Sequence, residues 1–251
     1  MLKVGEGEVP GPEVYWMSDW ETWVPLTFQA GLIRAPGVCC LVNTGPGDDL
    51  RPMNDTWARL LGERARMRRR DEDRIINRLE AAGVAPGDVT HVVLTPLQLY
   101  TTSNIHRFPA AAICLSLRGW THFHTTHDHP HDIRASSLDR ETLIHLVTDA
   151  WPRVRLLLDE DEVAPGIRTW WAGAHHRATL AVEADSTAGT VVLSDAFFTY
   201  RNLEQNHPIG ICESIEEAAA SYQRAREVAD HLVPLYDPDV FTRYPDGIVA
   251  S

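Results

Sequence analysis

No run of about 18 apolar residues occurs in this 251-residue chain, so no membrane-spanning helix is expected. The segment from Met1 to Glu8 has no apolar signal-peptide core, and a cytoplasmic location is the expectation. Cysteine is scarce. Cys39, Cys40, Cys114 and Cys212 show no C-x-x-C spacing, which points to reduced, structural thiols. Neither a G-x-S-x-G elbow nor a G-x-G-x-x-G loop is present, so serine-hydrolase and dinucleotide-binding readings fail. Excess basic charge is missing too. A net charge of −12 argues against nucleic acid, whose binding rests on Lys and Arg neutralising phosphates. The one basic run, Arg64 to Arg70, reads as the solvated face of a helical stretch rather than a phosphate patch.

What is present is ordinary for a globular protein able to bury a large core: 44% hydrophobic and 23% charged residues. Length alone allows one α/β domain or two small ones. Val14 to Met17 and Leu26 to Phe28 are β-prone, and Gly37 to Val42 is an apolar run of buried-strand length. It ends in the turn Asn43-Thr44-Gly45-Pro46-Gly47. Residues 71–82 show helical periodicity through Ile75, Ile76 and Leu79. An apolar strand from His91 to Thr95 then meets Pro96-Leu97-Gln98-Leu99-Tyr100-Thr101. A second strand, Ala110 to Ser116, is closed by Arg118-Gly119-Trp120. Five of the twelve histidines fall within residues 121–132: His122, His124, His127, His129 and His131. Further on, a helix is expected from Leu138 to Ala150, a strand at 154–158, a turn and another strand within 163–171, and a hairpin of strands Thr179–Glu183 and Thr190–Leu193. A long helix is expected from Ile215 to Leu232.

The strand into residues 96–101, the turn at Asn43, Gly173-Ala174-His175-His176, Ser194-Asp195-Ala196 and Pro234-Leu235-Tyr236-Asp237-Pro238 together resemble the metallo-β-lactamase fold superfamily, particularly its lactonase-like branch. The resemblance covers residues 12–250, so one domain over 1–251 is expected. It implies an α/β fold, an αβ/βα four-layer sandwich of two mixed β-sheets with helices outside. It also implies a site. Members hold two metals with histidines and carboxylates, which generate hydroxide at neutral pH. Here Pro96, Gln98, Tyr100 and Thr101 replace four ligands of the first motif, Tyr236 replaces the last histidine, and Asn43 stands where an aspartate is usual. Only His175 and Asp195 survive.

Pro has no donor, and Gln and Thr are poor neutral zinc ligands, so a dinuclear zinc site is not expected. Three readings stay open. In the first, the chain is a metal-independent hydrolase- or lyase-like enzyme for a small carbonyl, acyl or lactone-like molecule. His175 and Asp195 then act as an acid–base pair, and Tyr100 and Tyr236 donate protons or stabilise an oxyanion. Gln98, Thr101, His106 and His176 would bind the substrate. In the second, the chain is a non-catalytic pseudoenzyme that binds a small molecule or partner protein. In the third, a single relocated metal uses the 122–131 tract, whose alternate spacing suits an extended segment with imidazoles on one side. The plain reading of that tract, an exposed polar loop, leads. Trp16, Trp20 and Trp23 could wall a substrate mouth, although core packing is the commoner fate of tryptophan. A small-molecule ligand and a second copy of the chain are the candidate partners, with no nucleic acid and no membrane.

Overall fold

The computed structural model describes residues 1–129 and 133–250. In chain order its strands are β1 (Leu2–Pro10), β2 (Trp23–Ala35), β3 (Val38–Val42), β4 (His91–Leu94), β5 (Ala112–Ser116), β6 (Val154–Leu157), β7 (Glu160–Ala164), β8 (Ile167–Trp171), β9 (Leu180–Ser186), β10 (Gly189–Ser194) and β11 (His231–Pro234). Its helices are α1 (Gly11–Val14), α2 (Arg51–Leu61), α3 (Ile75–Ala81), α4 (Leu99–Thr102), α5 (Leu117–Thr125), α6 (Arg134–Ser137), α7 (Arg140–Val147), α8 (Tyr200–Glu204), α9 (Ile215–Val228) and α10 (Val240–Arg243).

Two mixed sheets form. One runs β1-β2-β3-β4-β5-β6 and the other β11-β10-β9-β8-β7. In the first, β3 to β6 are parallel and β1 to β3 antiparallel; in the second, only β10 and β11 are parallel. The central strands are continuous apolar runs because both of their faces are covered. Val92, Val93, Leu94, Ile113 and Leu115 are fully buried, as are Leu180 and Val182 of the facing sheet. Helices pack outside: Ile75 and Leu79 of α3 are buried as part of the main hydrophobic cluster, and Ala218, Tyr222 and Ala225 of α9 form a second cluster with Trp170 and Val192 of the other sheet. No helix among the described residues is long and apolar enough to cross a membrane.

Several sequence expectations shift. β1 was not foreseen, and Val14 closes a short helix rather than opening a strand, because Pro12 in its first turn and the Tyr15 N–H to Gly11 bond favour a turn. The basic run is not a helix face. It lies past the end of α2 in largely extended chain, where Arg68 pairs with Glu6 of β1 through backbone hydrogen bonds. Its charges are mostly paired: Arg64 with Glu8, Arg66 with Asp55 and Glu63, and Arg70 with Glu72 and Asp73. Gly119-Trp120 is not a corner but lies inside α5, which begins at the Ser116 cap on the Gly119 N–H. The long C-terminal helix stops at Val228, and His231 opens β11 instead.

Candidate functional site

The C-terminal ends of β3, β4, β10 and β11 converge at one edge of the sandwich and deliver Asn43, Thr95, Asp195 and Tyr236 there. The loop from Trp171 to Leu180 brings His175. Asn43, with φ of +68°, clamps the Thr95 peptide from both sides: its Oδ1 accepts the Thr95 N–H at 2.8 Å and its Nδ2 donates to the Thr95 carbonyl at 2.7 Å. An aspartate could accept but not donate, so a neutral amide is what this two-way clamp needs.

Asp195 is fully buried and its carboxylate is occupied on both oxygens. The Thr95 hydroxyl donates to Oδ1, while the Thr179 hydroxyl (2.7 Å) and the His175 ring (Nδ1, 3.0 Å) meet Oδ2. The two threonines are themselves oriented by backbone N–H groups, from Leu180 to Thr95 Oγ1 and from His176 to Thr179 Oγ1. The Thr95 hydroxyl also lies 3.1 Å from the Leu180 carbonyl, and Thr95 thereby ties one sheet to the other. Burial pushes the Asp195 carboxyl up to about 6, opposed by the Thr95 and Thr179 hydrogen bonds and by nearby His176.

Aromatic rings close over this pair. His175 meets His176 at 4.0 Å between ring centroids, Phe198 at 4.7 Å and Tyr236 at 6.2 Å. Tyr236 continues to Phe28 and Tyr100, and Trp57 packs on both of those. Only 3% of His175, 3% of Tyr236 and 8% of Tyr100 is exposed. Burial, with the Tyr100 phenol and Asp195 alongside, holds the Tyr236 phenol well above its ordinary range. The four residues expected to be catalytic thus come together, and they are sealed. Helix α5 helps to seal them, because Gly119 lies so close to Ala178 that a Cβ there would sit 2.3 Å from the Ala178 Cα.

The residues expected to bind substrate divide. His176 joins the cluster. Gln98 and Thr101 are buried and serve the turn into α4: Thr101 Oγ1 lies 2.6 Å from the Pro96 carbonyl and 2.7 Å from that of Gln98, whose Nε2 reaches Ser137 at 3.4 Å. His106 stands elsewhere, in the wall of a cleft of about 560 Å³ formed by the 46–53 loop, residues 103–107 and the start of α7. Leu99 lines that cleft while its neighbour Tyr100 faces the sealed cluster, so α4 separates the two. Sequence reasoning missed Thr95, Thr179, Phe28, Trp57 and Phe198. The only signal for the threonines was their position, Thr95 just before Pro96 and Thr179 at the end of the 173–179 stretch.

The His-rich tract is not an extended row. His122 and His124 are on α5, and His127 and His129 follow in irregular chain; His131, with Pro130 and Asp132, lies outside the described residues. His129 packs edge-to-face on His122 and reaches Glu213 at 3.3 Å. Among the described residues no three His, Cys, Asp or Glu side chains gather as a metal-holding group. The donors at the edge of the sandwich do not fit a zinc pair: two imidazoles, His175 and His176, one carboxylate already accepting three hydrogen bonds, and otherwise neutral side chains.

A search of solved structures gives close folds. An N-acyl homoserine lactone hydrolase with N-hexanoyl-L-homoserine bound at its catalytic metal centre aligns over 96% of this chain and 94% of its own, at TM-score 0.75 and 16% identity. A dizinc quorum-quenching lactonase in complex with the same kind of product aligns over 94% and 86%, at TM-score 0.66 and 13% identity. A hydrolase of the β-lactamase superfamily aligns over 94% and 86%, at TM-score 0.62 and 15% identity. This chain has the metallo-β-lactamase fold. No protein-family model and no curated protein matches its sequence. The sealed cluster lies at the edge of the sandwich formed by the ends of β3, β4, β10 and β11.

Proposed function

We propose that this protein is a non-hydrolytic, metal-independent member of its fold that binds a small polar molecule. The observation that carries the proposal is the closed cluster: the Tyr100 and Tyr236 rings are packed together with Phe28, and both oxygens of Asp195 are already spoken for by Thr95, Thr179 and His175. The cleft beside His106 is the binding surface. Its volume of about 560 Å³ suits a small molecule. Its walls carry both signs of charge, His106, Arg107 and Arg140 against Asp48, Asp139 and Glu141, which favours a zwitterionic or mixed-charge ligand. The test is a panel of lactones and esters, assayed with and without added zinc, together with calorimetric titration of amino-acid-like zwitterions. The expected result is no turnover, and ligand binding that weakens in Arg107→Ala. Turnover that vanishes in His175→Ala would overturn the proposal.

A second reading, metal-independent acid–base catalysis, is favoured by the 3.0 Å pairing of His175 Nδ1 with Asp195 and by the convergence of Tyr236 and Tyr100 on that pair. It requires the ring cover to open, and the same His175→Ala assay decides between the two.

A further inference from the structure

Helix α7 carries a stripe that the fold leaves uncovered. Its inward face is buried at Thr142 and Leu146, followed by Ala150 beyond the helix end. On the outward face Ile144 and Val147 are 47% and 44% exposed, and Trp151, in the turn that follows, is 47% exposed. Arg140, in the first turn, is exposed and has no hydrogen-bond or ion-pair partner among the described residues. Arg140, Ile144 and Val147 share one face of α7 at the i, i+4, i+7 spacing of a helix seam, and Trp151 stands beyond the helix end in the 3-10 turn Trp151–Arg153.

The stripe is its own complement when reversed. An antiparallel pair about a two-fold axis sets Ile144 against Val147 of the partner subunit and Arg140 against Trp151 of the partner subunit. The Trp151 ring stacks on Trp120 (6.5 Å, 29° between planes) and is otherwise open to a guanidinium. Exposed Asp149, near the opposite end from Arg140, gives the same pairing a complementary charge. That complementarity matters in a chain of net charge −12, whose acidic surface otherwise repels a second copy. A concavity of about 400 Å³ bordered by Ile144, His145 and Asp149 runs along the stripe. We infer that two copies of this chain associate through α7 in antiparallel register, as an isologous dimer. A helix of eight residues, about 12 Å long, makes a small contact, so the association is reversible and depends on concentration.

Sedimentation velocity on the full chain over a concentration series tests this. The expected weight-average mass climbs from one copy towards two. Trp151→Ala is expected to weaken the dimer at least about tenfold, as truncation of an interface aromatic does. Ile144→Lys and Val147→Glu each leave monomers, yet their equimolar mixture re-forms dimers, because the introduced lysine of one copy faces the introduced glutamate of the other. All three positions are solvent-facing, so unchanged far-ultraviolet circular dichroism is expected. A wild-type chain that stays monomeric, a dimer indifferent to these substitutions, or a mixture no more associated than its components would each overturn the inference.

Discussion

Replacing Asp195 by Asn removes the one buried carboxyl that the site must keep charged at neutral pH. In the folded chain this carboxyl is pushed up to about 6, against 3.8 for the ordinary group, with burial as the leading cause. The folded state therefore holds the proton more tightly than the unfolded state. Well below pH 3.8 both states are protonated and the group contributes its full share of stability; that share is lost as pH rises through 6. A displacement of about two pKa units corresponds to about 3 kcal/mol. Against a total stability of roughly 5–15 kcal/mol this is large. Urea unfolding of the wild type and of Asp195→Asn at several values between pH 4 and pH 7.5 reads it directly. Other groups titrate over the same range, but they cancel in the difference between the two proteins. The variant is expected to gain roughly 2–2.5 kcal/mol relative to wild type from the low to the high end of that range, since at pH 4 the unfolded carboxyl is already partly ionised. A difference that stays constant with pH would refute the assignment of a strained, desolvated carboxylate at the centre of the cluster.

Further substitutions probe the frame. Gly119→Ala drives a methyl group into the Ala178 backbone and should lower stability by about 1–3 kcal/mol in thermal or urea melts, with faster amide exchange across 175–179. Asn43→Ala breaks both bonds to the Thr95 peptide and leaves buried polar groups unpaired, for a loss of about 2–4 kcal/mol by urea denaturation. Tyr100→Ala opens a hole among Phe28, Trp57 and Tyr236 and should cost about 3–5 kcal/mol, while Tyr100→Phe costs much less. The Arg69 side chain is largely covered and donates to the carbonyls of Pro46, Gly47 and Asp48, so Arg69→Ala should loosen the cleft wall and weaken ligand binding. Lysine there should not rescue binding, because one ammonium cannot span three carbonyls.

The fold was legible because its punctuation is in the chain: apolar strands at 38–42 and 91–94, the Gly-Pro turn after Asn43, and motif joints at 173–176 and 194–196. The pairing of His175 with Asp195 was expected from the sequence resemblance, and the two side chains do meet at 3.0 Å. What could not be read was which rings pack around them. Phe28 and Trp57 lie far away in sequence from Tyr100 and Tyr236, and periodicity places a ring on a face without saying which distant ring it meets. The extended course of the basic run was likewise hidden, since its conformation is set by a backbone bridge to Glu6 rather than by local propensity. The histidine tract misled for a related reason. Alternation of imidazoles suggested extended chain, but the Ser116 cap and the fit of Trp120 and Phe123 into the core fold its first part as helix.

Zinc stoichiometry is the most direct measurement of whether the metal-site edge has become a closed core. Untagged protein, incubated with excess zinc at pH 7.5 and passed through a desalting column, is analysed by inductively coupled plasma mass spectrometry and by native mass spectrometry. The closed cluster predicts well under one zinc per chain, unchanged in His175→Ala. One or two tightly held zinc ions that disappear with that substitution would contradict it.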